Sequence, residues 1–347
     1  MIKKILLLLI FCSIMLYGFG NNKSTSKSNL ETHNIILETD IGNDVDDALA
    51  LDMLYKYQDM GKVNILGIMT NKESKYSAEF IDIMNTWYGY PQIPIGIIHN
   101  GVDCEADATN YAKCVCLLQN KKGKSYFKHT VKDFNQLPEA QFLYRKILAQ
   151  QPDNSVTIIS IGFFTNLARL LNTTGDKFSP LTGKELVAKK VKLLCTMAGC
   201  FNDSTLLEYN VVKDIPSAKK VFEEWPTKII TSPFEVGVAI KYPGNSIEND
   251  FKWASIHPMV EAYKCYQKMP YDRPTWDLTT VLYSVENSYS FFNISKAGKI
   301  IVNEKGRTIF VPDNLGNRYY LTINENQTEK IKQHFIKIIT QKPKRYK

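Results

Sequence analysis

Residues Glu38–Leu51 read "ETDIGNDVDDALAL". Five acidic side chains fall within ten positions, directly after the apolar run "NIIL" (34–37) and just before an alanine- and leucine-rich segment. A solvated charge run is normally interleaved with lysines, and this one is not. Asp46 and Asp47 can open the following helix, where free backbone N–H groups favour negative charge. Helix capping accounts for one or two aspartates, not for Asp40, Asp44, Asp46 and Asp47 together. A bound divalent cation offsets such crowding, and an all-oxygen donor set without His or Cys points to Ca²⁺ or Mg²⁺. The bland alternative is a solvated, capped loop. The spacing does not fit a helix–loop–helix calcium loop, which needs its own glycine and a closing glutamate.

The segments around this stretch supply its context. Apolar runs of strand length occur at "HNIIL" (33–37), "VNILGIM" (63–69), "IPIGII" (93–98), "SVTIISIG" (155–162), "VKLLCTMAG" (191–199) and "TKIITS" (227–232). Helical patterns lie between them, at Ala48–Gln58, Ala78–Tyr88, Ala140–Ala149, Asn166–Leu171 and Ser217–Glu224. Short, continuously apolar strands alternating with helices predict an α/β fold: one large domain with a mostly parallel, doubly wound sheet. From about Tyr289 the chain is richer in strand patterns and ends in a helix, Gln327–Thr340, which extends the same domain. In open parallel sheets ligands bind beyond the carboxyl ends of the strands, and the acidic cluster follows the first strand directly.

The chain has 347 residues, of which 44% are hydrophobic, enough for a sizeable core. Its first segment, "MIKKILLLLIFCSIMLYGFG", has a two-lysine start, an apolar run and small residues at Gly18 and Gly20. It reads as a secretory signal over residues 1–20. An uncleaved anchor is the alternative, and Cys12 lacks the setting for lipoprotein cleavage. Residues 21–32, polar and serine-rich, read as a flexible leader, leaving 33–347 as the domain proper. The expected product is exported, periplasmic or secreted, with no stable membrane insertion. Loss of Lys3 and Lys4 lowers the net charge from +8 to +6. The remaining basic residues are scattered apart from "NKKGK" (120–124) and the tail "QKPKRYK" (341–347), a pattern that reads as solvation and gives a nucleic-acid partner only weak support, so none is expected. Six cysteines follow the signal, and proximity makes Cys104 with Cys114 or Cys116 the expected disulfide, with Cys195 buried and free.

The acidic stretch resembles the amino-terminal signature of the inosine-uridine preferring nucleoside hydrolase family, Asp-x-Asp-Pro-Gly-x-Asp-Asp-Ala. Glu38 stands at the first aspartate, Ile41 replaces proline, and the turn is two residues longer, which leaves Asp44 without a counterpart. Three further segments resemble the family in the right order. They are "SIGFFTNLA" (160–168), "MAGCFNDSTLLEYN" (197–210) and "RPTWDLTTVLYSV" (273–285), the last with Trp276 in the histidine place. The matched blocks span about residues 35–285.

The resemblance implies a tightly held Ca²⁺, with Asp40, Asp47 and Asp277 giving carboxylate oxygens and Ile161 a backbone carbonyl. It implies Asp40 as general base toward the attacking water. Asp46, Asn71, Asn202, Glu208 and Asn210 would bind the ribose hydroxyls, and Met197 would pack against the sugar. The substrate implied is a ribonucleoside and the product free base plus ribose. Trp276 resembles the purine-specific branch, where an indole stacks on the departing base; such stacking is worth ~1–3 kcal/mol. A core role for Trp276 is the alternative. A second aromatic is not placed by the sequence: Tyr111, Tyr126 and Phe127 in a basic segment, or Tyr263, Tyr266 and Tyr271, are candidates. Relatives of this kind commonly form homodimers or homotetramers. Competing readings keep the ribose site with another leaving group, such as nicotinamide, or keep binding without turnover. A phosphotransferase is weaker, since no phosphate-binding lysine and loop are spaced for it.

Overall fold

The computed structural model describes residues 32–102, 109–286 and 290–347, so the expected signal and most of the leader lie outside the described residues. Residues 31–347 form a single compact unit. Its twelve strands among the described residues are β1 (His33–Thr39), β2 (Val63–Thr70), β3 (Ile95–Gly96), β4 (Val156–Ser160), β5 (Val191–Met197), β6 (Lys228–Ser232), β7 (Lys241–Tyr242), β8 (Arg273–Pro274), β9 (Asn293–Ile294), β10 (Gly298–Val302), β11 (Thr308–Pro312) and β12 (Arg318–Thr322). Ten of them make one sheet in the order β11-β10-β12-β6-β5-β4-β1-β2-β3, with β9 on β12; β7 and β8 pair separately. From β3 across to β6, and on to β12, every pairing is parallel. The carboxy-terminal extension then turns antiparallel through β10 and β11.

Alternation along the central strands builds a core on each face of this sheet. Ile35 and Leu37 of β1, Ile159 of β4, Cys195 of β5 and Ile230 of β6 face one core. Their neighbours Ile36, Ile158, Leu194 and Ile229 face the other. The first core is covered by α1 (Asp46–Asp59), α2 (Lys75–Tyr88), α3 (Tyr111–Cys116), and later helices. The second is covered by α4 (Ala140–Ala149), α5 (Thr165–Leu171), α6 (Gly183–Lys190) and, after the short α7 (Tyr209–Val212), α8 (Ile215–Glu224). Helix α1 is buried from Asp46 to Tyr57, because α12 (Trp276–Glu286) and α13 (Glu325–Ile339) pack over it. Between α8 and α12 lie α9 (Phe234–Val238), α10 (Gly244–Asn249) and α11 (Pro258–Tyr266).

The doubly wound fold expected from the sequence is therefore present, and the carboxy-terminal strands and helix extend the same sheet. The run at 93–98 contributes only a two-residue strand. Pro94 has no N–H to donate, and its carbonyl instead accepts from Ile68 N at 3.0 Å. The disulfide expectation is corrected. Cys114 on α3 pairs with Cys265 on α11, 151 residues away, because those two helices pack together. Cys116 is a buried free thiol, as are Cys195 and Cys200, and Cys104 lies outside the described residues. Among the described residues, no helix is long and apolar enough to cross a membrane.

Candidate active site

The strand order reverses between β1 and β4, and an open parallel sheet leaves its crevice there, at the carboxyl ends of the strands. A cavity of about 450 Å³ opens at this edge. Its wall includes Asp40 after β1, Ile161 after β4, Met197 at the end of β5 and Phe234 after β6. Asp46 and Asp47 on the first turn of α1 and Trp276 and Asp277 on the first turn of α12 complete the acidic side.

Each carboxylate is fixed by its neighbours. Asp47 Oδ1 accepts from Thr39 Oγ1. Asp46 Oδ2 accepts from the Asp277 amide at 3.1 Å, so the first turn of α1 holds the first turn of α12. Asp40 is half-buried, and its carboxylate oxygen and the Asn71 side-chain oxygen both lie close over Gly162. A Cβ at Gly162 would stand 2.7 Å from both Asp40 Oδ1 and Asn71 Oδ1, so only glycine admits this approach. Glu208 caps α7, accepting from the amides of Asn210 at 2.8 Å, Gly199 at 3.0 Å and Val211 at 3.2 Å. Asn210 in turn donates to the Met197 carbonyl at 3.2 Å.

Electrostatics make this cluster costly when its carboxylates are ionised. Burial, with Asp44 and Glu208 nearby and Lys72 opposing, pushes the Asp40 carboxyl up to about 7. Burial pushes Glu208 up to about 7 as well, against its three backbone hydrogen bonds and that of Tyr209. Asp46, Asp47 and Asp277 are raised well above the usual carboxylate range, first by burial and then by neighbouring carboxylates: Asp44 beside Asp46, Asp40 and Asp46 beside Asp47, and Asp46 and Asp47 beside Asp277. Carboxylate oxygens of these three approach within 4.8 Å of one another. Three buried, mutually repelling carboxylates that converge this closely fit a divalent cation, whose charge removes the penalty they otherwise carry. Hard oxygen donors without His or Cys suit Ca²⁺ or Mg²⁺.

The placement of the expected residues is uneven. Asp40, Asp46, Asp47, Ile161, Met197, Glu208, Asn210, Trp276 and Asp277 all line the one cavity. The tight carboxylate triplet contains Asp46, whereas the sequence grouped Asp40 with Asp47 and Asp277. Asn71 sits behind the wall, fully buried, with its amide donating to the Phe163 carbonyl at 2.8 Å. Asn202 is not brought to the cavity. The chain after Gly199 is drawn toward β11 by the Cys200 amide bonding Thr308 Oγ1 at 3.0 Å, which leaves Asn202 exposed beside a separate depression with Arg307 and Tyr320.

The aromatic candidates named from the sequence also move. Tyr111, Phe127 and Tyr263 are buried in the core, and the cavity wall instead carries Phe234 and Tyr209. Phe234 follows β6 at the carboxyl edge of the sheet, a position the strand-end rule points to. Its ring lies 5.5 Å from that of Trp276, and its carbonyl accepts from Trp276 Nε1 at 3.1 Å. Among the described residues no histidine lines the cavity. Asp44, left unassigned by its sequence position, is gripped by Arg273.

The family profile described as inosine-uridine preferring nucleoside hydrolase matches residues 35–340. Solved structures of similar fold include a plant nucleoside hydrolase, at TM-score 0.67 and 16% identity, covering 89% of this chain and 99% of the other. An inosine-uridine preferring nucleoside hydrolase from Bacillus anthracis gives 0.65 and 18%, covering 88% and 100%. A purine-preferring ribonucleoside hydrolase from Gardnerella vaginalis gives 0.68 and 13%, covering 88% and 98%. No curated protein sequence matches the chain. Four motifs in family order, a 3-2-1-4-5-6 parallel sheet and an acidic cavity at its switch point agree with the profile: the chain belongs to the inosine-uridine preferring nucleoside hydrolase family.

Proposed function

We propose that this chain is a Ca²⁺-dependent hydrolase of purine ribonucleosides, exported from the cell. The observation that carries the reading is one cavity with a carboxylate floor (Asp40, Asp46, Asp47, Asp277) and an aromatic wall (Phe234, Trp276). A polyol fits the first and a flat heterocycle the second.

Asp46, Asp47 and Asp277 are the side chains suited to hold the ion, with Asp40 and the Ile161 carbonyl beside them. When bound, Ca²⁺ orients the ribose diol and makes the attacking water more acidic. Asp40 accepts a proton from that water, a role its place at the cavity edge beside the other carboxylates allows. The water oxygen bonds to C1′, the C1′–N bond breaks, and its electron pair leaves with the base. Glu208 and the aspartates stabilise the positive charge that builds on the sugar. Asn210, locked by Met197, presents its remaining amide capacity to the ribose.

The departing base needs help, and among the described residues no imidazole is at hand in the wall. Trp276 stacking supports a purine, whose larger face gains more from an indole. The exported location is supported by the amino-terminal apolar segment and by the Cys114–Cys265 disulfide, which an oxidising compartment sustains.

The test is release of reducing sugar from inosine, adenosine, guanosine, uridine, cytidine and nicotinamide riboside, with Ca²⁺ and after chelation. Ca²⁺-dependent release that favours the three purine nucleosides is expected. Preference for nicotinamide riboside would reassign the leaving group. Calorimetric binding of a nucleoside without any release would make the site a binding one.

A further inference from the structure

Asp44 has no part in the reaction derived above, yet it stands in the cavity wall, and a single side chain holds both of its carboxylate oxygens. Arg273 Nε donates to Oδ1 at 3.0 Å, and Nη2 donates to Oδ2. A two-pronged pair of this kind fixes the plane of the guanidinium as well as its position. The same guanidinium lies over two aromatic rings, 5.0 Å from the centre of Tyr266 and 5.2 Å from that of Trp276. Its backbone is held too, since Arg273 on β8 pairs with Tyr242 on β7.

Trp276 is otherwise tied to α9. Its Nε1 donates to the Phe234 carbonyl, and its ring packs so closely on Gly237 that an added Cβ there would meet Trp276 Cδ1 at 2.3 Å. The Arg273 contact differs in kind, because it links the indole to the acidic turn after β1. That turn is the part of the chain two residues longer than the family signature. Asp44 and Arg273 are 229 positions apart in sequence, so no local pattern connects them.

We propose that Arg273 is a positioning residue for Trp276, that Asp44 is its anchor, and that together they set the indole plane against the departing base. The proposal rests on the nucleoside hydrolase reading for its substrate and on the contacts above for its geometry. A lysine cannot substitute, since an ammonium neither forks onto a carboxylate nor stacks as a plane on two rings. The clamp matters for a base that leaves poorly and needs the indole. It matters little for an activated aryl leaving group, which departs without aromatic help.

Arg273→Lys, Asp44→Asn and the double variant are compared with the parent on inosine and on 4-nitrophenyl riboside, each with Ca²⁺. A second readout is the fluorine NMR spectrum of protein labelled with 5-fluorotryptophan, in which the Trp276 signal is identified by its loss in Trp276→Phe. Each single variant should lose at least about tenfold in kcat on inosine and less than about threefold on the aryl riboside, as expected when a group is misplaced rather than removed. The double variant should be no worse than the worse single, because both break the same clamp. The Trp276 signal should shift or broaden in both singles while those of Trp87, Trp225 and Trp253 stay in place. Equal losses on both substrates, multiplying losses in the double variant, or an unmoved Trp276 signal in Asp44→Asn would overturn the proposal. If the parent releases ribose from neither substrate, the hydrolase reading fails, and the fluorine spectrum alone then decides whether the clamp exists.

Discussion

Asp40 and Trp276 divide the chemistry between two ends of one bond, and their variants should fail differently. Asp40→Asn removes the proton acceptor while keeping shape and hydrogen-bonding reach, so turnover should drop ~10²–10⁴-fold. The thermal midpoint should hold or rise, because one of several crowded carboxylates becomes neutral. Retained turnover would remove Asp40 from the base role. Trp276→Ala should slow purine nucleosides more than activated aryl ribosides, and steady-state kinetics on the pair tells chemistry from collapse. Gly162→Ala offers a test that removes no polar group: its methyl would meet the Asp40 backbone N at 2.6 Å and the Asp40 and Asn71 side-chain oxygens at 2.7 Å, distances that real Cβ atoms essentially never show. Turnover should fall with little change in ribose affinity, whereas an unaffected kcat would mean that Asp40 has room to spare. Asp40, Asp46 and Asp47 were legible in the sequence because carboxylates crowded without lysines repel one another unless a cation sits among them, whereas Asp277, far along the chain, was reached only through its resemblance to the family's late motif. Phe234 was not, since a lone aromatic after a strand looks like core. Arg273 was invisible for a different reason: its partner and both of its rings are brought to it only by the fold.

Strands β1, β2, β4, β5 and β6 were legible because parallel strands covered on both faces are continuously apolar, and α4 has the bounds its periodicity suggests, Ala140–Ala149. The acidic start of α1 was legible too, but its partners needed the structure, which shows Asp46 accepting from the Asp277 amide of α12 while Asp47 accepts from Thr39 at the end of β1. The far end of α12 carries an opposite arrangement. Glu286 is its last residue, where the helix dipole disfavours a negative charge. Lys62 Nζ at 2.8 Å and His334 Nε2 at 3.1 Å compensate, and so bind α12 to the start of β2 and to α13. Burial alone would raise the Glu286 carboxyl; the hydrogen bonds from His334 and Lys62 outweigh it and hold the group at about 2. A folded-state value below the ordinary one stabilises the fold above the unfolded value near 4.5, and that contribution is lost as pH falls toward 2. Glu286→Gln should therefore cost on the order of 1 kcal/mol at neutral pH, with the gap from the parent closing below about pH 4. Parallel melting curves across pH check this, and a gap of constant size would show that the carboxylate charge is not what α13 is held by.

The sheet brings four strand ends to one cavity, the disulfide ties α3 to α11, and the remaining question is what stabilises so many buried carboxylates at once. The disulfide spans 151 residues, and removing so long a closure in Cys114→Ser/Cys265→Ser should cost ~2–5 kcal/mol, seen as a lower melting midpoint with kcat retained. The acidic cavity makes a stronger claim about the whole molecule. In the ion-free protein Asp40 and Glu208 sit at about 7, above the ordinary 3.8 and 4.5. A carboxyl whose folded value is raised favours the fold fully below its unfolded value and loses that contribution as pH rises through its folded value. Chelated protein should thus lose stability between about pH 4 and about pH 7, the opposite slope to that contributed by Glu286. Ca²⁺ binds the ionised carboxylates, so its stabilisation should grow over the same range, reaching ~2.7 kcal/mol once the free ion is a hundred times its dissociation constant. Melting midpoints with EDTA and with Ca²⁺ at several pH values measure this directly. Curves that coincide at pH 8 would mean that the cluster holds no ion, and with that the reason for crowding those aspartates after β1 would have to be sought in the substrate alone.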